Sequence, residues 1–144
     1  MTSDNTLQNQ NIMEILHERY VLIQTAFQQA WEEQSNLIIS QTEWKIIGKL
    51  EQGELPVAQI TKNLHITRQA IHKLIKNLSS KKLIEVHPMK NNKKERCIAL
   101  STLGKECYTL YTNIHTEIES KIAMNLGTKQ IEDLKWMLQS NWGM

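Results

Sequence analysis

Thr67–Leu78 reads TRQAIHKLIKNL, and the fold turns on how these residues are spaced. Ala70, Ile71, Leu74, Ile75 and Leu78 recur at intervals of three and four, the period of a helix with one apolar face. The positions between them, Arg68, Gln69, His72, Lys73, Lys76 and Asn77, are all polar. Thr67 is a suitable N-cap, because its hydroxyl can accept from a backbone N–H that has no helical partner. The stretch therefore predicts a short helix with an apolar side and a largely cationic side.

The residues just upstream predict a second short helix. Pro56 fits a first turn, where its missing N–H costs nothing, and Val57, Ile60 and Leu64 form the apolar stripe. A brief turn at His65-Ile66 separates the two. Before them, Ser40-Gln41-Thr42-Glu43 is a capping box opening a helix with Trp44, Ile47 and Leu50 on one face, and Gly53 is placed to stop it. Downstream, Leu83–His87 and Arg96–Leu100 are β-prone runs. The segment Met89–Glu95 between them holds Asn91-Asn92 and three lysines, so the two runs predict a two-stranded ribbon with a basic tip.

Longer helices flank this lobe. Apolar residues at 12, 16, 20, 23, 27 and 30/31 predict one from Ile12 to about Gln34. Ser101 can cap another, striped by Leu103, Cys107, Leu110, Ile114, Ile118 and Ile122. Gly127 ends it, and Thr128 starts a last helix with Ile131, Leu134 and Leu138, and Trp136 nearby. The expected class is α+β, mostly α: a winged helix-turn-helix lobe over 40–100, and a helical dimerisation region over 11–35 and 102–142, within one domain spanning 1–144. The flanking helices carry more apolar surface than one short core needs, which suits packing against a second copy.

Net charge is only +2, but it is unevenly placed. Lys62 to Arg96 contains ten Lys/Arg and two acids, a net of +8, and the rest of the chain nets −6. A basic block on a helix-turn-helix and ribbon is the electrostatic footprint of a polyanion-binding face. The major groove of B-DNA is about 12 Å wide and admits one helix, whose N-terminal residues meet base edges. Arg can fork onto guanine and Gln onto adenine. Thr67, Arg68, Gln69, His72 and Lys73 are thus the expected major-groove residues. Lys76, Lys90, Lys93, Lys94 and Arg96 are placed for phosphate or the neighbouring minor groove. The competing reading is a winged-helix assembly module that offers the same basic face to an acidic protein partner.

Other classes find little support. A phosphate-cradling glycine loop, a nucleophile elbow and a carboxylate–histidine cluster are all missing, so no enzyme and no cofactor are expected. The five histidines are scattered and the two cysteines, Cys97 and Cys107, suit neither a disulfide framework nor a zinc site, so no metal is expected. No membrane span or signal peptide is read, and a cytoplasmic protein is the default. Cys97 alternates with Ile98, an arrangement that suits an outward-facing thiol; an inert exposed or half-buried thiol is the favoured reading, an oxidant sensor with a pKa lowered by Lys94 and Arg96 is the alternative, and Cys107 falls on a core stripe. Trp31, Trp44, Tyr108, Tyr111 and His115 are candidates to line a small-molecule effector pocket, or else serve as core.

With these pieces in order, the chain resembles the MarR family of transcriptional regulators from Ile39 to about Glu106. The resemblance rests on Gln41-Thr42-Glu43-Trp44, Pro56-Val57-Ala58-Gln59-Ile60, Ile66-Thr67-Arg68-Gln69-Ala70-Ile71, Leu83-Ile84-Glu85 and Leu100-Ser101-Thr102-Leu103-Gly104. It implies a homodimer joined by its first and last helices, a pseudo-palindromic operator, usually repression, and often a phenolic or lipophilic effector or cysteine oxidation as signal. Two positions depart from the family pattern. Asn92-Lys93-Lys94 stands where the family wing carries Asp-x-Arg, and Lys lacks the planar fork of Arg. Lys82 stands where the family has Gly before Leu83, so that residue either bears strain of roughly 1 kcal/mol or ends the helix differently.

Overall fold

The computed structural model describes residues 9–89 and 95–144. The elements run α1 (Ile12–Gln34), α2 (Gln41–Leu50), β1 (Leu55–Pro56), α3 (Val57–Leu64), α4 (Arg68–Ser80), β2 (Ile84–Pro88), β3 (Arg96–Leu100), α5 (Thr102–Leu126) and α6 (Thr128–Gln139). The chain divides into two compact units. One comprises the described residues up to Ser35 together with Asn113–Met144, and the other is Asn36–Thr112. No described helix is long and apolar enough to cross a membrane.

The Asn36–Thr112 unit is organised by its caps and its buried aliphatic residues. The capping box at the start of α2 is complete: Ser40 Oγ accepts from the Glu43 amide at 3.1 Å, and Glu43 Oε1 accepts from the Ser40 amide at 2.9 Å. Thr67 Oγ1 accepts from the Ala70 amide at 3.1 Å and starts α4. Ile46 and Ile47 of α2, Ile60 of α3, Ile71 and Leu78 of α4, Leu83, and Ile98 of β3 have no exposed surface. Each such side chain contributes about 1.5–3 kcal/mol relative to exposure.

The expected two-stranded ribbon is the larger part of a three-stranded antiparallel sheet, in the order β1-β3-β2. Ile84 pairs with Leu100 and Pro88 with Arg96, while Leu55 and Pro56 pair with Ile98 and Cys97. A two-residue strand shows no alternation in sequence, so β1 appears only when β3 is there to pair with it. Pro56 is consequently the N-cap residue of α3, in extended backbone, rather than part of its first turn. β1 is an edge strand, where a residue without a backbone N–H is tolerated.

The central position of β3 also corrects the reading of Cys97, which was expected to face outward. The strand has a neighbour on each edge and packs against α2 and α3, and Cys97 and Ile98 are both buried. Burial pushes the Cys97 thiol up, and Glu54 and Glu95 add to the rise. The thiol is therefore less, not more, disposed to ionise and react. Cys107 is buried as expected, with its pKa also raised by burial and by Glu106.

The corner between α4 and α5 is closed by backbone contacts. Lys82 adopts φ 62°, the left-handed conformation, so of the two expected outcomes it takes the strained one. The amides of Lys82 and Leu83 donate to the carbonyls of Ser79 and Leu78 at 3.0 Å, a Schellman ending for α4. Ser101 Oγ donates to the Lys82 carbonyl at 2.7 Å and accepts from the Gly104 amide at 3.0 Å, capping α5. Gly104 makes this approach possible, because a Cβ there would lie 2.1 Å from the Leu83 carbonyl oxygen.

The helical unit is built differently. Asn11 caps α1 by accepting from the Glu14 amide at 2.9 Å. Phe27, Trp31 and Ile114 are buried in it, and the Phe27 ring stacks on His115 with centroids 4.7 Å apart. Lys135 of α6 bonds Glu119 of α5 at 2.8 Å. Yet α6 buries none of its residues: Leu134 and Leu138, expected on an apolar stripe, remain exposed, as does Trp136 at 71%. On α1, Ile12, Met13, Tyr20 and Leu22 are also at least half exposed.

Three outcomes follow for the folded chain. Lys82→Gly is expected to raise stability by up to about 1 kcal/mol, because glycine adopts positive φ without a Cβ clash. Gly104→Ala is expected to lower it by about 1–3 kcal/mol, since the obstructing atom is backbone. Denaturant unfolding of both variants checks these signs. Burial lowers the pKa of His115 below its usual 6.5, partly opposed by Glu119. The folded chain thus keeps His115 neutral where the unfolded chain takes up a proton. Stability should fall as pH drops below about 6.5 and level off once the folded imidazole is also protonated. Melting temperatures across this range should show a shallower fall in His115→Gln.

Candidate nucleic-acid interface

The candidate interface begins with α4, whose two faces separate as the sequence spacing requires. Ile71 and Leu78 are fully buried and Ala70, Leu74 and Ile75 half-buried, while Arg68, Gln69, His72, Lys73, Lys76 and Asn77 are exposed. Arg68, His72 and Lys76 succeed one another at intervals of four and so share one strip of the helix. Gln69 and Lys73 form a parallel strip one residue round. Thr67 sits exposed at the helix start with its hydroxyl oxygen engaged by the Ala70 amide.

Arg68, His72 and Lys76 line a concave surface of about 920 Å³, together with Ala58 and Thr61 of α3 and Val86 and Arg96 of the ribbon. The structure thus brings one cation of β3 into the same hollow as the charged strip of α4. Gln69 and Lys73 do not line it. Lys90, Lys93 and Lys94 lie outside the described residues. At the base of the ribbon the Met89 amide donates to the Glu95 carbonyl at 2.9 Å.

Glu95, Ser79 and Ser80 also line this hollow and were not singled out in the sequence. The serines were legible in principle, for they continue the strip through Arg68, His72 and Lys76 by another turn. In the sequence Glu95 stands only as one of two acids within the basic block. Conversely, Lys81 belongs to that block by charge but turns inward, with Nζ 2.9 Å from the carboxylate of Glu43.

The five aromatic and histidine candidates for an effector site divide between the two units. Trp44, Tyr108 and Tyr111 lie in the Asn36–Thr112 unit, where Trp44 is buried against Tyr111 at a centroid distance of 4.5 Å and Tyr108 meets Tyr111 at 5.6 Å. The Tyr108 ring also faces Gly48, 3.7 Å from where a Cβ would stand. Trp31 and His115 lie in the helical unit, each beside Phe27. Neither the hollow beside α4 nor a smaller one of about 420 Å³ between α2 and α3 is lined by any of the five.

No protein-family model matches the sequence, and no curated protein matches it. Solved structures do. MepR of S. aureus bound to an oligodeoxyribonucleotide is 23% identical, with 90% of this chain and 94% of that one covered and a TM-score of 0.65. MarR of E. coli in its apo form is 16% identical, with 90% and 95% covered and a TM-score of 0.69. The haem sensor PefR of Streptococcus agalactiae in complex with haem is 15% identical, with 90% of each chain covered and a TM-score of 0.68. About nine tenths of the chain is matched each time. Its fold is the winged helix-turn-helix fold of the MarR-family transcriptional regulators.

Proposed function

We propose that this chain is a cytoplasmic transcriptional regulator that binds duplex DNA in a sequence-specific manner, as a homodimer on a pseudo-palindromic operator, and represses from it. The observation that carries the reading is the shared hollow of Arg68, His72, Lys76 and Arg96, set on a helix whose opposite face is seated in the core. α4 enters the major groove. Arg68 and Gln69 read base edges from its first turn, and His72 and Lys73 follow from its second. Lys76 and Arg96 meet phosphates beside the groove, and Lys90, Lys93 and Lys94 are proposed as further phosphate or minor-groove contacts.

The homodimer is supported by the helical unit, whose α1 and α6 leave Ile12, Met13, Tyr20, Leu22, Trp136 and Met137 at least half exposed. Large apolar side chains left exposed on two helices of one unit are the kind of surface that association covers. A two-fold dimer presents two copies of α4, so its half-sites fall about one helical turn apart. The DNA-bound form of MepR, a chain of the same fold, supports the duplex as ligand. PefR holding haem supports a small-molecule effector as part of the same reading. Trp44, Tyr108 and Tyr111 in the Asn36–Thr112 unit, and separately Trp31 and His115 in the helical unit, are the candidates proposed for contact with it. The activity is binding, with no catalytic step.

Selection of bound duplexes from a random pool at physiological salt tests the reading, with the oligomeric state measured by sedimentation. Enrichment of a two-fold symmetric sequence bound by a dimer is expected. Binding without any enriched sequence, disappearing uniformly as salt rises, would transfer the basic face to an acidic protein partner. On the enriched duplex, Arg68→Ala is expected to cost about 1–3 kcal/mol and to relax preference at a single base pair. Competition among single-base variants of the duplex reads this directly; equal loss on all of them would make Arg68 a phosphate contact.

A further inference from the structure

Glu43 is the one buried charged side chain among the described residues, 4% exposed. Its Oε1 closes the capping box of α2 by accepting the Ser40 amide at 2.9 Å. Both of its carboxylate oxygens also accept from Lys81 Nζ at 2.9 Å. Lys81 is the C-cap residue of α4, and its ammonium donates to the Ile38 carbonyl as well. Its own amide donates to the Asn77 carbonyl at 3.1 Å. One carboxylate thus ties the start of α2 to the end of α4.

Such a pair is a poor source of stability. Taking the Glu43 carboxylate and most of the Lys81 side chain out of water costs about as much as their attraction returns, and a neutral pair of like shape often serves equally well. What it supplies is direction. Burial of Ile71 and Leu78 seats α4, but apolar contact is non-directional and tolerates small rolls and tilts. An ammonium that must meet two carboxylate oxygens and a carbonyl at once tolerates much less. α4 has 13 residues, so an angular error at its Lys81 end reaches Arg68 along a lever of roughly 20 Å. Two-point contact with a base edge is sensitive to displacements of that origin.

We infer that Glu43 and Lys81 form a positioning pair for base reading, orienting α4 without touching DNA and serving selectivity rather than stability. This rests on the duplex-binding reading above. The test is the double variant Glu43→Gln/Lys81→Met. Gln keeps an acceptor for the Ser40 amide, both side chains keep their approximate volume, and net charge is unchanged, so long-range attraction to phosphate is unchanged too. Affinity is measured for the enriched duplex and a scrambled one across a range of salt, beside thermal unfolding.

The expected result is a melting temperature close to wild type, an unchanged salt slope and scrambled-duplex affinity, and a preference for the enriched duplex reduced about tenfold, the scale of one mismatched base pair. Lys81→Arg, which keeps the cation, should retain most of the preference. An unchanged preference in the double variant overturns the inference alone. So does a lowered melting temperature with equal loss on both duplexes, which would make the pair a stability element. A wild-type chain that prefers no duplex overturns the regulator reading, and this inference with it.

Discussion

The seating of α4 is the constraint on which the interface depends. Ile71 and Leu78 lose all exposure against the core, and helical geometry then leaves Arg68, His72 and Lys76 no place but the outer face. The hydrophobic term that docks the helix is also the term that presents its cations. Because they stand on a regular element rather than a loop, their spacing is set by backbone hydrogen bonds and does not have to be ordered when a ligand arrives.

The two units spend their apolar residues differently. In Asn36–Thr112, three helices and a small sheet close on a shared set of Ile and Leu side chains, several of them with no exposure. In the helical unit, Phe27, Trp31 and Ile114 are buried while much of α1 and all of α6 are not. A helix keeps an uncovered apolar face at a cost in free energy that only a further partner removes. That contrast is the physical basis for reading one unit as the contact with DNA and the other as the contact with a second copy.

The turn from α4 into the sheet shows local preference yielding to tertiary demand. Lys82 carries a left-handed backbone that glycine would adopt more easily, yet the corner is held by the Schellman bonds of α4 and by Ser101 bridging from α5. Gly104 stands one helical turn further on, where α5 comes closest to the Leu83 carbonyl. The strain at one residue is thus offset by contacts from residues about twenty positions away.

Much of this was legible in the residues alone. Periodicity marked both faces of α4, the Ser40–Glu43 pattern named its own reciprocal bonds, and Thr67, Ser101 and Gly127 stand at the helix boundaries where their chemistry placed them. These features are local: each depends on a few neighbouring residues and on dihedral preferences that any chain shares. Three features were not local. β1 exists only because β3 pairs with it, Cys97 is buried because β3 is central, and Lys81 leaves the basic surface because Glu43, distant in sequence, needs a partner in the interior. Sequence spacing determines which face of an element is apolar; only the packed chain decides what covers that face and which charges are drawn inside, because burial and pairing energies belong to the neighbours that folding brings together.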